Sequence, residues 1–406
     1  MTERPLPFIR RALPADAEGI SRLYTIAYRP DNGGDPRACY PFPQVLDPAA
    51  VARIVTNGQI RWFVAEVGND IVGSVGAVVN VGADEDRIAE CFGLVVDEQW
   101  RLQDIGSDLF AHLCRSLTKE GEALFLIAET RTAHPGGWKV VSRFGFAPLG
   151  FEPFAHKTPS GAESMLLTGK VLPSALSRRR VDRVTSPAVR HLAEPICEEL
   201  QASCCPARYD STANFLPECA DPQADFAIEE TTDNRAAEPC GQRSSVVGLR
   251  RLEGEDPAGR RYRKRCFIAH HDDQPIAIAR ALWDSFDARL RVLELTVCVP
   301  GSESALIRYI AEVIAREQKL TPYSLVVDVR ADAIALHRNL QGLGFFPTVY
   351  YPALLADGDD RCDAVQFTLL HGFYLDAALD SADLAAWPQA VAVAARVGKS
   401  GAKRGA

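Results

Sequence analysis

No stretch of this 406-residue chain approaches the ~20 consecutive apolar residues that span a bilayer. The N-terminus, Met-Thr-Glu-Arg-Pro-Leu-Pro, has no apolar signal core. These absences read as a cytoplasmic protein with no membrane partner. Positive charge is also short: 45 Lys and Arg against 53 Asp and Glu leave a formal charge of −8 and a pI near 5.6. That balance excludes bulk attraction to nucleic acid or anionic lipid. The 11 cysteines are odd in number, irregularly spaced and without a Cys-x-x-Cys pair, so they read as reduced thiols, and no metal is expected. There is no Gly-x-Ser-x-Gly elbow, no Gly-x-x-x-x-Gly-Lys phosphate loop and no His-Glu-x-x-His.

What is present is a normal share of apolar residues, 47%, in a chain too long for one ordinary core. Phe8 to Ala12 reads as a strand, and Pro14 and Asp16 open a helix with Ile20, Leu23 and Ala27 on one face. Pro30 to Pro48 is a Pro/Gly/Asp-rich loop carrying Cys39, Tyr40, Phe42 and Pro43. Its aromatics either line a pocket or plug the loop onto the body. Arg61 to Val67 and Ile71 to Val79 form a hairpin about Gly68-Asn69-Asp70. A strand from Ala123 to Thr130, His134-Pro135-Gly136-Gly137, a short helix Trp138 to Phe144 and a closing strand Ser164 to Leu172 complete the first part.

Between these lies the stretch around which the rest is arranged. Phe92 to Val96 is an apolar run suited to a buried strand, and Ile105, Leu109, Leu113 and Leu117 follow at helical spacing. A strand running through a polar Arg/Gly turn into a helix N-terminus is an anion cradle, because unpaired backbone N–H groups converge there. Arg101-Leu102-Gln103-Asp104-Ile105-Gly106 resembles the acyl-CoA motif of the GNAT N-acetyltransferase superfamily, Gln/Arg-x-x-Gly-x-Gly/Ala, with Asp104 in place of the first glycine. The element order over about 170 residues is also similar to GNAT.

The pattern partly repeats. A shift of 199 residues carries Glu129 onto Asp328, Arg131 onto Arg330, Gly145-Phe146 onto Gly344-Phe345 and Pro148 onto Pro347 without a gap. The expected fold is therefore α/β (α+β): two tandem GNAT-like domains, each a mixed, mostly antiparallel sheet flanked by helices. Their bounds are 1–176 and 183–372, with a linker at 177–182 and a frayed tail at 373–406. The linker arginines Arg178, Arg179 and Arg180 read as solvated. In the second copy, Leu293 to Val299 runs into Pro300-Gly301-Ser302-Glu303 with no Arg or Gln at the turn, so this half is not expected to bind CoA. Residues 207–259 yield no clear pattern.

The resemblance implies transfer of an acyl group from acetyl-CoA or another acyl-CoA to the amine of a small molecule. It implies that Arg101 and the backbone of Leu102, Gln103, Asp104, Ile105, Gly106 and Ser107 hold the pyrophosphate. Leu94, Val95 and Val96 would pair with the pantetheine arm and give a backbone N–H to the thioester oxygen. Glu90 falls where GNAT histone acetyltransferases place their general base, allowing for a two-residue shorter turn; His134 and Glu129 are the other candidates. Tyr40, Phe42, Arg131, Trp138 and His156, which lies between the last two strands, are the candidate acceptor contacts. The family's proton-donating tyrosine is replaced by Val141, and by Leu340 in the second copy. Alternatives are a CoA-independent lyase, decarboxylase or rearrangement on the same fold, and a non-catalytic metabolite-binding protein. Cys91 beside Glu90 reads as a small buried hydrophobe rather than a nucleophile.

Overall fold

The computed structural model describes residues 6–29, 40, 42–101, 103–119, 121–132, 136–158, 161–200, 208–209, 227–231, 242–243, 249, 262–299, 302–318 and 321–372. Calls on Leu102, His134, most of 207–259 and the tail from 373 lie outside these residues.

The N-terminal half runs β1 (Phe8–Arg11), α1 (Ala17–Ala27), α2 (Pro48–Val55), β2 (Ile60–Val67), β3 (Asp70–Val79), β4 (Ile88–Val96), α3 (Ile105–Lys119), β5 (Phe125–Arg131), α4 (Gly136–Arg143), β6 (Ala147–Thr158) and β7 (Gly161–Val171). The connection contributes α5 (Pro173–Leu176), β8 (Val184–Thr185), α6 (Arg190–Glu199), β9 (Arg208–Tyr209), β10 (Ala227–Thr231) and β11 (Gln242–Arg243). The C-terminal half continues with β12 (Tyr262–His271), β13 (Gln274–Asp284), β14 (Arg289–Val297), α7 (Ser302–Gln318), β15 (Tyr323–Arg330), α8 (Ile334–Gly342), β16 (Phe346–Asp357) and β17 (Asp360–His371).

Local chemistry explains the elements. Gly68 takes a φ of +63°, which lets Val67 pair directly with Asp70 across a two-residue turn. Asp47 accepts the Ala49 N–H at 3.0 Å and Pro48 supplies the first helical φ, so α2 starts where the sequence reading had only a loop ending. In α3, Ile105, Leu109, Leu113 and Leu117 are buried against β2 and β3, as their spacing requires.

Among the described residues, 15 strands form one mixed and mostly antiparallel sheet, with parallel pairs only at β4–β5 and β14–β15. The order read outward from the middle is β6-β7-β5-β4-β3-β2-β1 on one side and β16-β17-β15-β14-β13-β12-β10 on the other. Each side thus repeats one arrangement. The two meet at β6 and β16, joined antiparallel by the single backbone pair Gly150 and Val349.

Two aspartates clamp this seam. Asp287, in the turn before β14, accepts the Lys157 N–H at 2.7 Å, and Asp86, in the turn before β4, accepts the Ala356 N–H at 2.7 Å. The shift of 199 residues that relates the halves carries Lys157 onto Ala356, so the same contact is made twice. The linker belongs to this seam and is not simply solvated. Arg179 is 8% exposed and forks onto Asp363 with two 2.7 Å bonds, while donating to Tyr350 Oη at 3.2 Å. Its neighbour Arg178 is exposed as expected, and Arg180 is half-buried and bonded to Asp182.

Candidate active site

β4 and β5 pair over Ile88–Cys91 and Phe125–Ala128, then part. Beyond that point β4 carries a bulge: Ser74 pairs with Val95 and Gly76 with Phe92, so Gly93 and Leu94 have no partner in β3. Gly93 sits at φ +63°. A parted pair of strands with a bulge leaves backbone N–H and C=O groups directed into a slot, which a linear amide-containing ligand can fill.

At the end of the slot Asp97 accepts the Gln99 N–H at 2.9 Å, and the turn Glu98–Trp100 leads to Arg101. Arg101 is exposed, its Nε 3.4 Å from Val96 O. Asp104 takes φ +56°, a left-handed conformation that aspartate tolerates better than most residues, and its carbonyl receives the first helical bond from Asp108 N–H at 2.9 Å. Its carboxylate is 79% exposed and receives Arg143 Nη1 at 3.3 Å, a guanidinium that also donates to Ser107 Oγ at 3.1 Å. Asp104 therefore does not fill the cradle, and Arg143 brings a second cation to it. A Cβ added at Gly106 would meet nothing nearer than Val96 Cγ2 at 3.6 Å, so protein packing does not demand this glycine and the space beside it is open to a ligand. The side chains of Val95 and Ile105 are buried in the core, which leaves those two only backbone to offer.

The candidate carboxylates come together. Glu90 faces Ile127 across the parallel pair, and Glu129 lies two residues further along β5, so both project from one face where the strands part. Both are half-buried. On the same face Arg131 binds Glu163 of β7 through Nε at 2.8 Å and Nη2 at 2.6 Å. Tyr28 stands close enough for this pair to act on its phenol, which burial pushes up to about 12 while Arg131 opposes the shift.

Other candidates sit differently. Tyr40 and Phe42 are buried, with ring centroids 5.3 Å from Tyr24 and 6.0 Å from Phe92, so they plug the loop onto the body instead of presenting open pocket walls. Trp138 is a buried residue of α4. His156 is not in a connection between strands but within β6, 2% exposed, with Nδ1 3.2 Å from Asp287 Oδ1 of the other half. The bulged β6–β7 hairpin is longer than its sequence suggested and carries this residue into the seam. Cys91 is buried and burial pushes its thiol well above the ordinary range, in keeping with an inert hydrophobe. Val141 is 3% exposed and cannot donate a proton. No group of three metal-ligating side chains occurs among the described residues.

The corresponding face of the C-terminal half is filled. Arg291 faces Val326 as Glu90 faces Ile127, and the 199-residue shift carries Ile127 onto Val326 and Glu129 onto Asp328. Arg291 Nη1 binds Asp328 at 3.0 Å and Nη2 binds Glu152 at 2.9 Å; Glu152 also receives Arg289 at 2.8 Å and Gln366 at 2.9 Å. All five are buried. Sequence reasoning missed Arg143, Glu163, Arg289 and Glu152. The 199-residue shift that aligns Asp328 carries Glu90 onto Arg289, so Arg291 emerges as its counterpart only from the strand register.

Part of the chain is similar to known proteins. The family model described as "Acetyltransferase (GNAT) family" matches residues 21–146, and this segment is a GNAT-family domain. No curated protein matches the chain. Similar solved structures include a ribosomal-protein-alanine N-acetyltransferase from Brucella melitensis, 18% identical with a TM-score of 0.34, covering 41% of this chain and 99% of its own. A GNAT-superfamily phosphinothricin acetyltransferase from Sinorhizobium meliloti, solved with AcCoA, is 19% identical with a TM-score of 0.35, covering 41% and 89%.

Proposed function

We propose that the chain is a GNAT-type acyltransferase that moves an acetyl or other acyl group from CoA to the amine of a small metabolite. Its active site would lie in the N-terminal half, with residues 183–372 a second copy of the fold that has lost the CoA site. The observation that carries the reading is the parting of β4 and β5 at a bulge that points to an open helix N-terminus.

The residues present fit an acyl-CoA. Arg101, Arg143 and the backbone of residues 103–107 supply positive charge and free N–H groups for a pyrophosphate, and the exposed Asp104 is neutralised by Arg143. The bound thioester supplies an activated carbonyl carbon. The chain's own part is to give that carbonyl a backbone N–H from Leu94 to Val96, and to accept the proton of the incoming ammonium at Glu90 or Glu129. Arg291 and Asp328 at the matching positions of the second copy are committed to each other and cannot do the same. One observation favours a second reading, CoA-independent chemistry in the same cleft: Val141 leaves the leaving thiolate without the family's tyrosine.

Calorimetric titration of acetyl-CoA into wild type, Asp104→Gly and Arg143→Ala tests the proposal. Micromolar binding by wild type is expected, with Asp104→Gly within a few-fold of it and Arg143→Ala weaker. Binding only after Asp104→Gly would sink the acyltransferase reading in favour of the second.

A further inference from the structure

The bulged peptide of β4 is held by a hydrogen bond from a buried tyrosine of α1. Trp62 Nε1 on β2 donates to Ser74 Oγ on β3 at 2.7 Å, and the Trp62 ring stands edge-on to Tyr24 of α1 with centroids 6.4 Å apart. Tyr24 Oη donates to Gly93 O at 2.6 Å. The Tyr40 ring, from the long loop, packs on Tyr24 with centroids 5.3 Å apart. Tyr24 commits its only proton to Gly93, so a hydroxyl that reaches Tyr24 Oη can only donate to it. Trp62, Ser74 and Tyr24 are each at most 1% exposed and Tyr40 is 6% exposed. The fit is tight, since a Cβ at Gly93 would overlap Tyr24 Oη and lie 3.1 Å from Tyr40 Oη.

Gly93 C=O and Leu94 N–H belong to one peptide unit. A hydrogen bond accepted at the carbonyl fixes the plane of that unit and strengthens its N–H as a donor, and further donors upstream add to the effect. From this we infer that Tyr24 is a positioning residue for acyl transfer, orienting and polarising the bulged 93–94 peptide of β4, and that Tyr40 acts on the reaction only through Tyr24. This rests on the acyltransferase reading above. It also gives the two buried tyrosines a use that simple packing does not require, because phenylalanine would fill the same volume.

The test uses the full chain with Tyr24→Phe, Tyr40→Phe and the double variant. Acetyl-CoA binding is measured by calorimetry, turnover by thiol release with a panel of small primary amines, and folding by thermal melting. Tyr24→Phe is expected to lower kcat about 10- to 100-fold, less than outright loss of an oxyanion donor, with acetyl-CoA affinity and KM within about twofold. Tyr40→Phe lowers kcat about threefold, and the double variant matches Tyr24→Phe alone, since removal of Tyr24 already disconnects Tyr40. Unchanged kcat in Tyr24→Phe, a loss carried by KM, or additive effects in the double variant would overturn the inference. If Tyr24→Phe fails to fold, an unchanged kcat in Tyr40→Phe overturns it. Wild type that binds no acetyl-CoA overturns the acyltransferase reading itself, whatever the variants do.

Discussion

Gly150 and Val349, related by the same 199-residue shift as the rest of the repeat, are each other's only backbone partners across the seam. A Cβ at Gly150 would press on Val349 Cα at 2.5 Å and overlap Thr348 O. The contact needs a glycine on one side, so the halves cannot be identical there. Gly150→Val, which restores the repeat, is expected to pry β6 from β16. Thermal melting should then resolve into two transitions, or shift down as one if the aspartate clamps still couple the halves. A melt coincident with wild type would show the bridge to be dispensable.

Glu152 joins the halves in another way, by neutralising two buried arginines that it meets at 2.8 and 2.9 Å. Glu152→Ala would take from Arg289 and Arg291 the carboxylate they share. Removal of one member of a buried ion cluster costs about 3–5 kcal/mol, because the remaining charges stay out of water. Urea unfolding should register that loss, and Glu152→Gln, which keeps an acceptor oxygen, should lose less. A loss below about 1 kcal/mol would mean that the cluster is hydrated in solution.

The hairpin, the strand, turn and helix about Arg101, the element order of both halves and the alignment of Glu129 with Asp328 could be read from the sequence, because each depends on local spacing or on an ungapped repeat. Glu90 could be named by its place on β4, but its face could not, since that depends on register with β5. Arg179 and His156 were misjudged for one reason. Both look like surface polar residues in linear order, and both are buried by a half of the molecule that arrives more than 100 residues later, at Asp363 and Asp287. Tyr24 carries no signal of its own in the sequence. Nothing local distinguishes a phenol that packs from one that holds a carbonyl 69 positions away.

His337 offers a pH test of the C-terminal core. Its ring is fully buried against Phe367, its Nε2–H donates to Arg330 O at 2.9 Å, and burial pushes its pKa down to about 4. The folded state thus keeps the ring neutral where the unfolded chain would protonate it near 6.5. The unfolded chain binds more protons in that window, so stability is complete above about pH 6.5 and falls as pH drops toward 4, by up to about 3 kcal/mol. His337→Gln keeps a side-chain donor and removes the titration. Urea midpoints measured between pH 4 and 7 should fall more steeply for wild type than for the variant. Parallel slopes would place the acid sensitivity elsewhere.

Glu90 and Glu129 share one face at the mouth of the slot, and the chemistry needs only one proton acceptor there. Loss of a general base typically costs 10²- to 10⁴-fold in rate, and the loss should shrink at high pH, where the free amine needs no deprotonation. Glu90→Gln is therefore expected to lower kcat/KM for an amine acceptor about 100-fold or more near neutrality and less at alkaline pH. Glu129→Gln should cost about tenfold or less if its carboxylate only favours the ammonium electrostatically. Near-normal turnover by Glu90→Gln across the whole pH range would remove it as the base. A reversed ranking would hand the role to Glu129, whose counterpart Asp328 keeps a carboxylate but is held by Arg291 at 3.0 Å.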